Sequence, residues 1–384
     1  MPNKPAYPAE LERAWLDIAL KATGLRNEQT AVAQLEQQAG FLSDAFTKER
    51  DPEFAGYASN RRALAAYGLF FFPRAYVRTL FALRECAPAD AHKPKPGPLR
   101  IVDLGAGTGA AGLAAAHAWS ARHPERFIEL ELVDQATEGF KLARDLFAAG
   151  KSLWPRATLV TTKADARTYA PAHGADLVVC SFAVNEWMEA QGSDAALIQW
   201  TRRLVQALRP GGALVLLEPA QRFAVERIER LRDTVAAERI GRILAPCPHY
   251  ATCPMLAQKK GWCHEVRTWR VPDSLRWINR KLQRDIHLLK FSLLAVAHEA
   301  APETASDWMR IISPVREEKG KYAFHGCGAD GQIHACEWLT RGLSEEQAAL
   351  SAELERGDRV RWTPAKTLGD GQTERADGPP ALAL

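Results

Sequence analysis

The spacing of apolar residues predicts helices in the first quarter of the chain and a mixed sheet after it. From about Leu11 to Glu85, apolar side chains recur every three or four residues, which is typical of amphipathic helices and predicts a helical domain over residues 1–95. Beyond it, short apolar runs alternate with helical patterns, as in a doubly wound α/β sheet. Strands are expected at Arg100–Leu104, Ile128–Val133, Thr158–Thr161, Leu177–Ser181 and Ala213–Glu218.

A proline-rich stretch separates the two patterns. Four prolines between Ala87 and Pro98 fix the backbone and remove amide donors, so we predict a linker there. The alternating pattern then continues over residues 96–242 and ends in an amphipathic helix that begins near Ala220. The remaining segment, 243–363, carries five of the 7 cysteines and begins with irregular spacing before it turns to strands.

The last part of the chain contains a hairpin pattern and a segment without any pattern. Strand-like residues flank Gly328–Gly331, whose composition suits a tight turn, so we predict a β-hairpin that presents Cys327 and Cys336. Residues 364–384 are rich in Gly, Pro, Thr and Asp and lack periodicity, which predicts a disordered tail.

Composition narrows the class of protein only moderately. With 384 residues, 47% hydrophobic and 25% charged, the chain is long and apolar enough for two or three folded domains. The net charge of +4 permits a polyanionic partner without requiring one. The start has neither an apolar signal core nor an Arg-rich transit composition, so we expect a bacterial cytoplasmic protein and no membrane partner. In that reducing compartment, cysteines are more often metal ligands or buried thiols than disulfides.

A glycine-rich turn follows the first predicted strand and opens a helix. Its glycines let the backbone pass close to a ligand, and amides at a helix start attract negative charge. With acids before the turn and after the next two strands, the pattern resembles S-adenosylmethionine-dependent methyltransferases, although dinucleotide oxidoreductases use a related turn. The residues that carry this resemblance are Asp103, Gly105, Gly107, Gly109, Asp134 and Asp165. It implies that Asp134 accepts from the ribose, that Asp165 lies near the adenine amine and that the glycines lie beside the methionine moiety.

The expected fold is therefore α/β: a Rossmann-like class I methyltransferase sheet with a helical N-terminal domain and a cysteine-rich, β-containing C-terminal region. The catalytic position is less defined, because Asn185 and Glu186 follow the fourth strand without the Pro-Pro-aromatic motif of amino-methylating nucleic-acid enzymes. These two side chains either orient a substrate or only hold the strand end.

Three cysteines with the spacing Cys247-x5-Cys253-x9-Cys263 suit zinc or an iron–sulfur cluster, because thiolates are soft ligands. This spacing matches neither the paired zinc ribbons nor the radical S-adenosylmethionine enzymes, so spacing alone does not name the metal. Three buried thiols among aromatic residues are the simpler alternative. The candidates for a fourth ligand are Cys327, Cys336, His249 and His264.

Several short motifs together resemble the small-ribosomal-subunit methyltransferase-like family of bacterial and mitochondrial assembly factors. The resemblance covers about residues 50–340 and rests on Ala65–Tyr67, Pro73–Tyr76, Leu217–Pro219, Pro246–His249, Cys253–Pro254, Trp262–His264, Leu289–Ser292 and Arg310–Pro314, followed by Cys327 and Gly331. It implies a four-iron four-sulfur (4Fe-4S) cluster on Cys247, Cys253, Cys263 and Cys327, and binding to ribosomal RNA of the small subunit. Cys336 has no family counterpart and remains the alternative fourth ligand.

A basic segment follows the three cysteines and is a candidate RNA contact. Cations neutralise phosphates and exposed tryptophans stack on unpaired bases, although a solvated helix face has the same composition. Its members are Arg267, Arg270, Arg276, Arg280 and Lys281, with Trp269 and Trp277 among them.

These observations lead to one main hypothesis and two alternatives. The main hypothesis is a ribosome-assembly factor that binds S-adenosylmethionine, a 4Fe-4S cluster and small-subunit RNA, with methyl transfer to RNA as its enzymatic form. The first alternative is a methyltransferase for a small molecule or protein with a structural zinc. The second is a non-catalytic assembly module.

Overall fold

Two compact units make up the chain. One comprises Met1–Val184 with Thr268–Leu289, and the other comprises Asn185–Arg267 with Lys290–Leu384. This computed structural model describes residues 4–47, 60–86, 97–191, 194–258, 261–299 and 306–383. Most of the predicted linker lies outside these residues. None of the helices in the described part is long and apolar enough to cross a membrane.

Five helices lie within the described residues 4–47 and 60–86 of the first unit, which confirms the helical pattern read from the sequence. Trp15 on the first helix is buried against Gly68 on the fourth, where an added Cβ would lie 2.0 Å from the indole ring. Asn27 and Asn60 cap the second and fourth helices by accepting hydrogen bonds from backbone amides. The helices are α1 (Ala9–Thr23), α2 (Glu28–Ala33), α3 (Glu36–Thr47), α4 (Arg61–Phe70) and α5 (Phe72–Glu85).

Four parallel strands follow in the same unit, in the order β3-β2-β1-β4. They are β1 (Leu99–Leu104), β2 (Ile128–Asp134), β3 (Ala157–Lys163) and β4 (Ala175–Ser181), with α6 (Ala110–Arg122) and α7 (Glu138–Ala149) between the first three. The strand predictions for this part are confirmed. Continuous apolar runs made them legible, because β1 and β4 are almost wholly buried.

The second unit contains the remaining strands of methyltransferase type. Within it β8 pairs antiparallel with both β5 and β6, giving the order β5-β8-β6. The orders 3-2-1-4 and 5-8-6, with an antiparallel β8, are those of a Rossmann-like class I methyltransferase, which confirms the predicted fold class. The elements from residue 184 onward are α8 (Val184–Gln191), α9 (Asp194–Gln206), β5 (Leu208–Pro219), α10 (Arg222–Ala237), β6 (Arg242–Ala245), α11 (Pro254–Gln258), β7 (Glu265–Thr268), α12 (Asp273–Ile278) and β8 (Leu288–Ala297).

A separate sheet ends the chain, in the order β14-β15-β12-β11-β9-β13-β16. Its elements are β9 (Met309–Ile311), β10 (Arg316–Glu318), β11 (Lys321–Cys327), β12 (Ile333–Leu339), α13 (Glu345–Glu353), β13 (Arg359–Arg361), β14 (Lys366–Thr367), β15 (Thr373–Ala376) and β16 (Ala381–Leu382). The predicted hairpin is confirmed as β11–β12. The predicted disordered tail is wrong, because β15 pairs in parallel with β12 and β16 pairs with β13.

Candidate functional site

The glycine-rich turn between β1 and α6 has the backbone conformation that its sequence requires. Gly105, Gly107 and Gly109 have φ values of +73°, +52° and +81°, a region that side chains with a Cβ rarely adopt. The amide of Gly107 donates to Oδ2 of Asp134 over 2.8 Å, so the end of β2 helps to shape the turn. The turn therefore lies at the carboxyl end of the parallel strands, where nucleotide ligands bind in this type of sheet.

Besides Asp134, the two other acids predicted for the cofactor site, Asp103 and Asp165, have different surroundings. Asp103 is buried and accepts from the amide of Gly112 over 2.7 Å, and burial raises its pKa to about 7. The Asp103 carboxylate therefore holds the first turn of α6 from the buried side. Asp165 pairs with Arg167 over 2.7 Å, and this contact lowers the pKa of Asp165.

Two hydroxyls near this edge have no hydrogen-bond partner in the part of the chain that the structure describes. Oγ1 of Thr108, in the glycine turn, and Oγ of Ser181, at the end of β4, are buried without a hydrogen bond to any described residue. Buried polar atoms without partners are costly and uncommon, and a bound ligand is one way to satisfy them. They fit a polar ligand at the carboxyl ends of β1 and β4.

The predicted catalytic pair belongs to the second unit. The amide of Asn185 donates to Oε2 of Glu218 over 3.0 Å, while its side-chain Oδ1 is buried without a partner among the described residues. Glu186 is exposed. Asn185 thus retains a free acceptor, whereas its backbone holds the start of α8.

The four cysteines implied by the family resemblance line one cavity in the second unit. Each comes from a different part of the chain: Cys247 follows β6, Cys253 precedes α11, Cys263 precedes β7 and Cys327 ends β11. Their convergence supports a shared function. Within the described ranges, no group of three or more His, Cys, Asp or Glu side chains is arranged to hold a metal ion.

The other candidate ligands are distributed differently. Cys336 does not line the cavity, because its Sγ packs 3.9 Å from Sδ of Met309 inside the C-terminal sheet. His264 packs on the ring of Trp262 instead. His249 does line the cavity, with Nε2 3.3 Å from Sγ of Cys327.

Helix α10 positions the cysteine loops through charged side chains that the sequence analysis missed. The amide of Cys253 donates to Asp233 over 3.0 Å, and the amide of Cys263 donates to Glu229 over 2.7 Å. Arg232 is buried and donates to the backbone carbonyl of His249. The available signal was a pair of charges, Glu229 and Arg232, on the apolar face of an amphipathic helix.

Burial opposes ionisation of the cysteine thiols that line the cavity. Burial, with the nearby charges of Cys247 and Glu229, raises the pKa of Cys253 to about 12. Burial likewise raises the pKa values of Cys263 and Cys327. Arg232 and Arg310, both buried and lining the cavity, act in the opposite direction on Cys247. Cationic groups are thus already in place beside the thiols.

The basic segment is only partly available for RNA. Arg267 is buried and pairs with Glu265 over 3.0 Å and also with Asp358, so its prediction as an RNA contact is wrong. Trp269 is buried too, and its indole donates to the carbonyl of Ile286. The residues that remain exposed are Arg270, Arg276, Arg280 and Lys281.

Sequence comparisons match the chain to one family model and to one curated protein. The sequence model of the family described as mitochondrial small ribosomal subunit Rsm22 matches residues 61–359. The human protein described as ribosome assembly protein METTL17, mitochondrial, is 25% identical over 288 residues, which make up 73% of this chain. The match covers 56% of that protein, so the chain corresponds to little more than half of its relative.

Among solved structures, the chain is similar to methyltransferases at low identity. A Listeria monocytogenes protein assigned to the class I S-adenosylmethionine-dependent methyltransferases has a TM-score of 0.40 at 12% identity, over 78% of this chain and 92% of its own. The plantazolicin methyltransferase BpumL, solved with SAH, has a TM-score of 0.35 at 13% identity, over 70% of this chain and 98% of its own.

Proposed function

Since the chain belongs to the Rsm22 family of mitochondrial small ribosomal subunit proteins, we propose that it is a methyltransferase-fold factor that assists assembly of the small ribosomal subunit. The human relative is described as a ribosome assembly protein, which supports this role. That relative is mitochondrial, and the bacterial cytoplasmic location expected from the sequence stays a prediction.

The observation that carries the finer proposal is the convergence of Cys247, Cys253, Cys263 and Cys327 on one cavity. Four cysteine thiolates are the usual ligand set of a 4Fe-4S cluster, and the buried guanidinium groups of Arg232 and Arg310 offset their negative charge. The four thiols have the donor chemistry that such a group needs, although the described side chains are not themselves arranged around a metal ion. When bound, the cluster would supply a cross-link between the cysteine segments and a one-electron redox centre.

The turn at Gly105–Gly109 supports S-adenosylmethionine as a second ligand. Its positive φ values bring the backbone close to the ligand space, and two unpartnered hydroxyls, on Thr108 and Ser181, belong to the same edge of the sheet. We propose that Asp134 accepts from the ribose and that Asp165 lies near the adenine amine.

RNA contact is assigned to the exposed part of the basic segment, in the first unit. Arg270 and Arg280 are exposed cations, and Arg276 lies between them with Asp273 as an ion-pair partner over 3.1 Å. Lys281 extends into solvent with 83% of its side chain exposed. Such cations contact phosphates without sequence preference.

If methyl transfer to RNA occurs, Asn185 and Glu186 are the proposed groups that orient the acceptor. Catalysis would then depend chiefly on positioning the acceptor in line with the methylsulfonium. Asn185 has the stronger case, because its Oδ1 is buried without a partner among the described residues.

Anaerobic purification with iron, sulfide and zinc analysis tests the cysteine assignment. About four irons and four sulfides per chain, together with binding to small-subunit RNA, are the expected result. One zinc, no iron and no RNA binding would contradict the proposal and favour an ordinary methyltransferase with a structural metal. RNA binding without any S-adenosylmethionine binding would leave only a non-catalytic assembly module.

A further inference from the structure

Two arginines on helix α5 have no ion-pair partner among the described residues. Arg74 and Arg78 lie one helical turn apart, so their side chains share a face. Arg78 is only 9% exposed, and Nε of each guanidinium is shielded from solvent without a hydrogen-bond partner. Neither guanidinium forms a hydrogen bond or ion pair with another described residue.

Aromatic rings hold both side chains in place. Cζ of Arg74 lies 5.0 Å from the ring centre of Phe70, and Cζ of Arg78 lies 4.9 Å from that of Phe182. Cation–π contacts orient a guanidinium but leave its N–H groups unused, and each guanidinium has five of them. The pair is therefore fixed in position and still lacks acceptors.

The charge of the pair is poorly compensated. Burial lowers the pKa of Arg74 to about 10, with Asp285 acting only from beyond ion-pair distance. Burial also lowers the pKa of Arg78, and the neighbouring charge of Arg74 lowers it further. Buried cations normally have a partner, so an anionic group is the missing component.

Phe182 connects this pair to the glycine turn. It follows Ser181 at the end of β4, and Asp103 on β1 stands in parallel register with Val179 on β4. Gly105 and Ser181 each lie two residues beyond the Asp103–Val179 pair, so they are at the same edge of the sheet. Phe182 also has φ of +60°, which is a strained backbone conformation for a bulky residue. Strained conformations of this kind cluster at functional sites.

We propose that Arg74 and Arg78 bind the α-carboxylate at the amino-acid end of S-adenosylmethionine. The inference rests on the proposed cofactor site at the glycine turn. A carboxylate matches the planar fork of a guanidinium and is the only anionic group of this cofactor. The enclosure of Arg78 favours a small ligand over the phosphates of a folded RNA, which need exposed cations.

Two ligands that differ only in this carboxylate test the inference. Calorimetric titration of the full chain, with its metal content intact, would compare S-adenosylmethionine with decarboxylated S-adenosylmethionine. The wild-type protein should prefer the carboxylated ligand by about tenfold to hundredfold, the usual effect of a charged hydrogen bond. In Arg74→Gln or Arg78→Gln that preference should be lost, with binding of the decarboxylated ligand unchanged.

Arg84→Gln on the same helix is the control, because Arg84 is exposed and its variant should keep the wild-type preference. If the wild-type protein binds both ligands equally, the inference is overturned while the cofactor proposal stands. If it binds neither, the cofactor part of the proposed function fails, and the inference fails with it.

If either glutamine variant loses RNA affinity and keeps its ligand preference, the pair is an RNA contact and the inference is wrong. Should a variant not fold, the wild-type comparison of the two ligands decides.

Discussion

Nε2 of His249 lies 3.3 Å from Sγ of Cys327, and Nδ1 of the same ring lies 3.2 Å from the guanidinium of Arg232. A guanidinium only donates hydrogen bonds, so Nδ1 must accept and the ring proton must be on Nε2. Burial lowers the pKa of His249 to about 4, which keeps the ring neutral. His249 is therefore placed to donate an N–H···S hydrogen bond to Cys327 rather than to act as a ligand.

Removing this donor should change the redox behaviour of the proposed 4Fe-4S cluster more than its occupancy. Hydrogen bonds to the sulfur ligands stabilise the more negative reduced state, so His249→Phe should lower the midpoint potential without loss of iron. A redox titration followed by electron paramagnetic resonance measures this. His325→Phe is the control, because His325 lies exposed on the strand that carries Cys327. Loss of iron in His249→Phe would instead mark His249 as a ligand.

The two hairpin cysteines should respond differently to serine substitution. Cys327→Ser should release the metal and lower the melting temperature, because thiolate binding is coupled to folding. Cys336→Ser should keep the full metal content and cost about 1–3 kcal/mol, because it buries a hydroxyl beside Met309. Metal analysis and thermal unfolding of both variants check this prediction. Metal loss in Cys336→Ser would contradict the assignment.

Two exposed arginines should account for part of the RNA affinity. The double variant Arg270→Ala, Arg280→Ala should weaken binding to small-subunit RNA and reduce the slope of log affinity against log salt by about 2. Filter binding over a range of salt concentrations measures this slope. Arg341→Ala removes an exposed charge from the turn after β12 and should leave the slope unchanged. An unchanged slope in the double variant would exclude this surface.

Asp103 should make stability depend on pH. Burial raises its folded pKa to about 7, above an unfolded value of about 3.9, so its contribution to stability is complete below pH ~4 and is lost as pH rises through ~7. Asp103→Asn cannot ionise and keeps an acceptor for Gly112. The variant should therefore be more stable than wild type at pH 8 and similar near pH 4. Urea unfolding at both pH values tests this, and a variant less stable at pH 8 would contradict it.

The packing of α1 on α4 should not tolerate a larger residue at position 68. In Gly68→Ala the new Cβ would overlap the ring of Trp15, and overpacking of this kind costs about 1–3 kcal/mol. Gly369→Ala is the control, because nothing lies within 4 Å of its added Cβ. Denaturant unfolding compares the two. Equal stability would mean that the helices separate at little cost.

The sequence predicted those elements that have a strong apolar period. The buried strands β1 and β4 were legible, whereas β6 has only four residues and was not predicted. The tail was misread for a similar reason, since β14, β15 and β16 have two to four residues each. Such strands depend on backbone pairing with a partner, and a local pattern does not contain that partner.

The resemblance named the four cysteines that line the cavity, and the strand register explains why Cys327 lines it and Cys336 does not. Cys336 is paired with Phe324 across the hairpin, and Cys327 lies three positions beyond Phe324. Side chains alternate along a strand, so the two cysteines face opposite sides of the sheet. Arg267 is the reverse case: its charge suggested a surface position, but it is buried and paired with Glu265 on its own strand and with Asp358 from a distant segment.

A metal cluster on four cysteines from distant parts of the chain would also restrict the conformations of the unfolded chain. A cluster that joins Cys263 to Cys327 closes a loop that contains β8 and the start of the C-terminal sheet. By the chain-entropy relation for cross-links, closing a loop of roughly sixty residues lowers the entropy of the unfolded chain and stabilises the fold by on the order of 4 kcal/mol. When the link is lost, the unfolded chain recovers this entropy and the stabilisation disappears. Iron loss would then remove the cross-link, and the thermal stability of the second unit would depend on the iron supply.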